Sequence, residues 1–131
     1  MRMLLDTHIF LWYISGDPRL PAAMNAAIAD TSNAVFLSVV SIWECLVKER
    51  LGKLPLPAPP AAYLTQHRVK HQIETLYLDE SSVSRLPSLP DIHRDPFDRI
   101  LVCQCLNHDL IMVTVDDLLR KYPAPTFPLG E

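Results

Sequence analysis

No apolar run in the 131-residue sequence approaches the roughly 20 residues needed to cross a bilayer. The opening MRMLLD has none of the extended apolar core of a secretory leader, so the expected location is the cytoplasm. Cysteine is scarce. Cys45, Cys103 and Cys105 make no disulfide framework, and the last two, spaced two apart in a helix-like stretch, point to nearly opposite faces. Free buried thiols are expected there rather than a shared metal. With only three glycines the chain has neither a GxxxxGK[ST] loop nor a GxGxxG turn, so nucleotide-triphosphate and dinucleotide binding lack their motif. Neither charge sign dominates: 12 basic and 15 acidic residues give a formal −3, which excludes a broad basic surface for nonspecific nucleic-acid binding. There is no internal repeat and no low-complexity tract. At 49% apolar and 21% charged, the composition is that of an ordinary globular protein, and the length suits one domain, residues 1–131, with a real core.

What the chain does have is an alternation of short apolar runs and helix-like stretches. Strands are expected at residues 2–6, 35–37, 76–78 and 110–114, with 127, between two prolines, as a short edge strand. Helices are expected at 7–14, 20–30, 41–51, 62–72, 82–86, 96–107 and 117–122. The first ends at Gly16-Asp17-Pro18 and the third at Gly52. The helix after Pro96 is the clearest, with Phe97, Ile100, Leu101, Cys105 and Leu106 near one face. The proline-dense LPLPAPPA, residues 54–61, reads as a rigid surface loop. Strand–helix alternation of this kind predicts a parallel sheet covered on both faces.

Four acids then stand out. Asp6, Glu44, Asp98 and Asp116 each follow an apolar run or open a helix-like segment. In an open α/β sheet the strand C-ends converge on one edge, where ligands bind. Two unit charges about 4 Å apart repel by roughly 4 kcal/mol at an effective dielectric near 20. Such a cluster persists by sharing protons or by holding cations. Oxygen-only donors favour Mg²⁺ or Mn²⁺. Each acid also has a plain structural reading. Asp6 and Asp116 stand where helix N-caps belong, Ser41-Ile-Trp-Glu44 matches a capping box, and Asp95-Pro96-Phe97-Asp98 matches a cap, a proline at the first helical position and an acid in the first turn. Caps, however, need one acceptor per helix and do not need it to be an acid, so the joint pattern points to metal binding.

Other clusters carry less. His67 and His71, one turn apart, lack a third ligand and read as a solvated helix face. His8 lies close to Asp6 and could line a cleft there. His93 and Arg94 precede Asp95 and suit either a phosphate contact or a loop. Lys48, Arg50 and Lys53 gather at a helix C-terminus, where the dipole alone favours cations.

The stretches LLDTHIFLWYISGDPRL, SIWECLVKERLGKLPLP, HRDPFDRILVCQCL and LIMVTVDDLLRKY resemble, in order and spacing, the PIN-domain ribonucleases, and more narrowly the VapC-like toxins of type II toxin–antitoxin systems. The resemblance spans essentially the whole chain. It implies a five-stranded parallel sheet of order 3-2-1-4-5 flanked by helices, and Mg²⁺- or Mn²⁺-dependent endonucleolytic hydrolysis of RNA by one or two ions. Carried over position by position, the implied site acids are Asp6, Glu44, Asp98 and Asp116, with Thr114 as the Ser/Thr that holds the site's hydrogen bonds. The implied partners are an RNA substrate and a small cognate antitoxin that covers the cleft, with a homodimer and a hetero-oligomer as the assemblies. The apolar run Phe10–Ile14 and Trp43 are the candidate anchors for that partner. Two departures matter. The family commonly places a basic residue between the threonine and the last acid, where this chain has Val115, and Asp117 duplicates that acid. Two other readings stay open: a catalytically inactive PIN fold that binds RNA or protein, and a receiver-like Mg²⁺ domain with Asp79 as acceptor.

Overall fold

The computed structural model describes residues 1–129; the last two of the expected domain, Gly130 and Glu131, lie outside the described residues. The elements run β1 (Arg2–Leu5), α1 (Thr7–Ser15), α2 (Ala22–Ala29), β2 (Ala34–Ser38), α3 (Val39–Arg50), α4 (Pro60–Lys70), β3 (Glu74–Leu76), α5 (Glu80–Val83), α6 (Pro96–His108) and β4 (Ile111–Val113). The strands form one sheet in the order β3-β2-β1-β4, and every pairing is parallel.

The expected order 3-2-1-4 is therefore present, but among the described residues the fifth strand is not: four strands form there, and beyond β4 there is a single parallel bridge between Met112 and Thr126. The physical reason is proline. Pro123, Pro125 and Pro128 have no N–H to donate, so the segment makes two ladder bonds only, Met112 N–H to Pro125 O and Phe127 N–H to Met112 O, both 2.9 Å. The third strand also differs, lying at Glu74–Leu76 rather than 76–78 and leaving Tyr77 exposed. The helix expected at 117–122 is reduced to a 3₁₀ turn, Leu119–Lys121.

Strand period divides the core. On β1, Met3 and Leu5 face one side with Ile9, Phe10, Met24, Ile28 and Leu64, while Leu4 faces the other with Leu101, Val102, Cys103 and Cys105. Helices α1, α2 and α4 thus cover one face and α6 covers the other. The three thiols are free and buried, as expected, and Cys103 and Cys105 both pack in the α6 cluster because α3 and α5 also lie against that helix. Gly16, at φ 64°, closes α1 in the left-handed conformation, its N–H bonded to the Tyr13 carbonyl. Among the described residues no helix is long and apolar enough to cross a membrane.

Candidate active site

Parallel pairing aligns the C-ends of β2, β1 and β4, and the acids gather at that edge. Asp6 is the first residue past β1, the central strand, and its N–H donates to Val113 O of β4 at 3.0 Å. It occupies the N-cap position of α1 but accepts no capping hydrogen bond, so the plain capping role is absent. Instead Thr114, the first residue past β4, donates its hydroxyl to Asp6 Oδ2 at 2.7 Å and accepts from the Asp116 N–H at 3.0 Å. Asp6 and Thr114 are both buried. One hydroxyl therefore ties two of the acids together across neighbouring strands.

Glu44 does not form the capping box. Helix α3 begins earlier than the motif suggests, because Ser38 at the end of β2 takes the N-cap and accepts from the Val40 N–H at 3.0 Å. Ser41 and Glu44 then lie inside the helix and face α1. The Thr7 hydroxyl donates to Glu44 Oε1 at 2.7 Å and lies 2.9 Å from Ser41 Oγ, whose own proton is free to donate in return. The other Glu44 oxygen is ion-paired with Lys48, one turn on. Burial pulls the Lys48 ammonium's pKa down, but the Glu44 hydrogen bond and charge, with Asp95 and Asp98 beyond, hold it above the ordinary lysine value.

Asp95 caps α6 as the sequence predicts, accepting from the Phe97 N–H at 2.9 Å, with Pro96 at the first helical position. That cap aims the first turn, and with it Asp98, into the same cleft. Asp98 is 9% exposed, and the one donor-capable side chain beside it among the described residues is His93, whose Nε2 lies 3.3 Å from its Oδ2 and equally far from Asp116. Burial, followed by the charges of Asp6, Asp95, Glu44 and Asp116, pushes its pKa up to about 8. Burial also raises Asp6, against the Thr114 hydrogen bond and the nearby His8. Asp116 does cap: its Oδ1 accepts from the N–H groups of Leu118 (2.8 Å) and Leu119 (3.2 Å), and its Oδ2 faces His93 Nε2 at 3.3 Å. Asp117 is not among the residues lining the cleft.

These side chains share an open cleft of about 480 Å³, lined also by His8, Trp12, Arg19, Lys48 and Val115. Glu44, Asp95 and Asp98 each bring a ligand atom within 4.8 Å of the others, as do His93, Asp98 and Asp116. A buried carboxylate with no Lys or Arg beside it, surrounded by further carboxylates, is a donor set suited to a hard divalent cation. Two cleft residues escaped the reading of the sequence. Lys48 stands near a helix C-terminus, where the dipole alone explains a cation, and its i,i+4 spacing from Glu44 is the signal that points to the cleft instead. Arg19 carried no signal, since it reaches the cleft from the turn after α1. Together they put cations beside a site where Val115 supplies none. Asp79, the acceptor a receiver-like domain would need, instead caps α5 and pairs with His108 at 3.0 Å.

The PIN domain family model matches residues 3–125. Among characterised relatives, the chain is 25% identical over 124 residues to ribonuclease VapC22 of Mycobacterium tuberculosis, covering 94% of this chain and 93% of that one. Its fold is similar to that of VapBC2 from Rickettsia felis, solved with a DNA fragment from its promoter (TM-score 0.71, 13% identity, 96% of each chain). It is also similar to that of a toxin–antitoxin complex from Klebsiella pneumoniae (TM-score 0.63, 16% identity, 98% of this chain and 99% of that one). With the family model spanning nearly the whole chain and the acids gathered at the sheet edge, the chain belongs to the PIN domain family.

Proposed function

We propose that this chain is a divalent-metal-dependent endoribonuclease, the toxin of a toxin–antitoxin pair, with residues 1–131 working as one domain in the cytoplasm. The observation that carries the reading is Asp98: a buried carboxylate with no Lys or Arg beside it, its pKa raised by burial and then by four neighbouring acids, in a chain similar to a ribonuclease over 94% of its length. Asp6 and Asp98 would hold Mg²⁺ or Mn²⁺, with Glu44 and Asp116 completing the acidic wall. When bound, the cation supplies Lewis-acid polarisation of a phosphoryl oxygen and a more acidic water. The chain's own groups do the rest. Thr114 fixes the Asp6 carboxylate, and the Asp95 cap fixes the first turn that bears Asp98. Lys48 offsets the charge of Glu44. Arg19 and Lys48 at the cleft give a phosphate backbone cationic contacts without a broad basic surface.

The partner would be a small antitoxin that offers a cationic side chain to this acidic cleft. Trp12, half-buried in the cleft wall, and Trp43, 59% exposed and edge-on to Phe97 at 4.8 Å, are the aromatic anchors such a partner would use. The similar folds solved as toxin–antitoxin complexes support the antitoxin partner, and the assembly proposed for this chain is a homodimer and a hetero-oligomer with that antitoxin. The test is a cleavage assay on total RNA with the purified chain. Activity abolished by EDTA, restored by Mg²⁺ or Mn²⁺ and lost in Asp98→Asn is the expected result. A protein that binds RNA but cleaves none under any divalent ion would refute the nuclease reading and leave a binding module.

A further inference from the structure

His93 sits in the acid cluster without being an acid, and its surroundings assign it a protonation form. Its Nδ1 accepts from the Asp95 backbone N–H at 3.1 Å. A backbone amide can only donate, so Nδ1 carries no proton there. The ring's single proton is then on Nε2, which points at Asp116 Oδ2 (3.3 Å) and also lies 3.3 Å from Asp98 Oδ2. The backbone behind the ring is pinned as well: the His93 N–H donates to the Tyr122 phenol oxygen at 2.7 Å, and Arg99 Nη1 donates to the same oxygen at 3.2 Å. Coordination through Nε2 would need the proton moved to Nδ1, where it would meet the Asp95 N–H head-on.

We propose that His93 is a positioning residue: a neutral imidazole, protonated on Nε2, that holds the Asp116 carboxylate toward Asp98 and is not itself a metal ligand. Asp116 needs such a clamp. It is more exposed than Asp98, Glu44 or Asp6, and its other oxygen is already taken by the Leu118 and Leu119 amides. With His93 on Oδ2 the carboxylate is fixed at both ends, which orients the ligand before any cation arrives. The inference rests on the metal-site reading proposed above.

Two measurements test it. The first is the ¹⁵N spectrum of the His93 ring in the intact protein, without metal and with saturating Mg²⁺. The expected pattern is a protonated Nε2 and an unprotonated Nδ1 in both conditions; a proton on Nδ1, or on both nitrogens, would overturn the proposal. The second is calorimetric titration of Mg²⁺ and Mn²⁺ into wild type, His93→Ala and His93→Gln. Loss of the clamp should weaken both ions by a common factor of about ten, the scale of outer-shell substitutions. Gln, whose amide N–H reaches the place of Nε2–H, should restore most of it. A loss several-fold larger for Mn²⁺ than for Mg²⁺, unrelieved by Gln, would make His93 a ligand and overturn the proposal. So would wild-type affinity in His93→Ala. Wild-type protein that binds neither ion would instead refute the metal-site reading itself.

Discussion

On one wall of the cleft Glu44 lies under the Thr7 hydroxyl and the Lys48 ammonium; on the other Asp98 faces only the His93 ring, at 3.3 Å, a contact His93 shares with Asp116. Both carboxylates are buried, at 2% and 9% exposure, and both come from helices that follow the sheet's C-terminal edge. The difference is in their partners. Glu44 has its charge answered inside the fold, so it contributes to holding α1 and α3 together. Asp98 has no Lys or Arg beside it and shares one imidazole with Asp116, and burial with its acidic neighbours raises its pKa, so the fold bears a cost there that a cation would relieve. One acid is part of the architecture as well as the site; the other is held in place for something the chain does not contain.

Substitution should separate the two walls most sharply in activity. Asp98→Asn is expected to lower the RNase rate by at least about 10²-fold, the scale on which loss of one charge-stabilising group acts, while Glu44→Gln loses about tenfold. Single-turnover cleavage at saturating Mg²⁺ measures both. Next comes metal-linked stability. Mg²⁺ at a hundredfold over Kd should stabilise the wild type by about 2.7 kcal/mol in thermal or urea unfolding, and Asp98→Asn should lose most of that gain.

The metal-free proteins should then differ in sign. Glu44→Gln leaves the half-buried Lys48 without its counter-charge and should destabilise by about 1–3 kcal/mol. Asp98→Asn removes a buried charge with no Lys or Arg beside it and should stabilise by about 0.5–2 kcal/mol at pH 8. The pH dependence has a definite direction. Between the ordinary carboxyl value of 3.8 and about 8, the folded state holds a proton on Asp98 that the unfolded state has released. The metal-free wild type therefore loses stability as pH rises through that window, and Asp98→Asn flattens the slope. Urea melts at pH 5 and pH 8 in EDTA check this. The smallest effect is expected at Thr114. Thr114→Ser keeps the hydroxyl that bridges Asp6 and the Asp116 amide, so it should cost only about 0.8 kcal/mol for the buried methyl and leave cleavage near wild type.

Local signals in the sequence were reliable where one residue decides the outcome. The Asp95 cap with Pro96 behind it and the Gly16 stop could both be read directly; the order of the first four strands came from the family resemblance alone, because the apolar pattern carries no strand order. The capping box at Ser41–Glu44 failed because a better cap, Ser38, starts α3 earlier, and nothing in the four-residue motif reveals that competition. The fifth strand failed because the prolines around Phe127 leave too few donors for a ladder. Of the candidate site, the four acids stood out in the sequence and Thr114 entered through the resemblance, but their unequal environments were not visible in either. Thr7 is 37 residues from Glu44, and His93 is 23 from Asp116; only folding brings them together.

We propose that the buried Asp98 carboxylate takes a divalent cation as its counter-charge. A ¹³C-carboxyl titration of Asp98 tests it most directly. In metal-free protein the account predicts a pKa near 8, and in saturating Mg²⁺ a carboxylate that stays ionised far below that. An Asp98 that titrates near the ordinary 3.8 without metal, and does not respond to Mg²⁺, would contradict it.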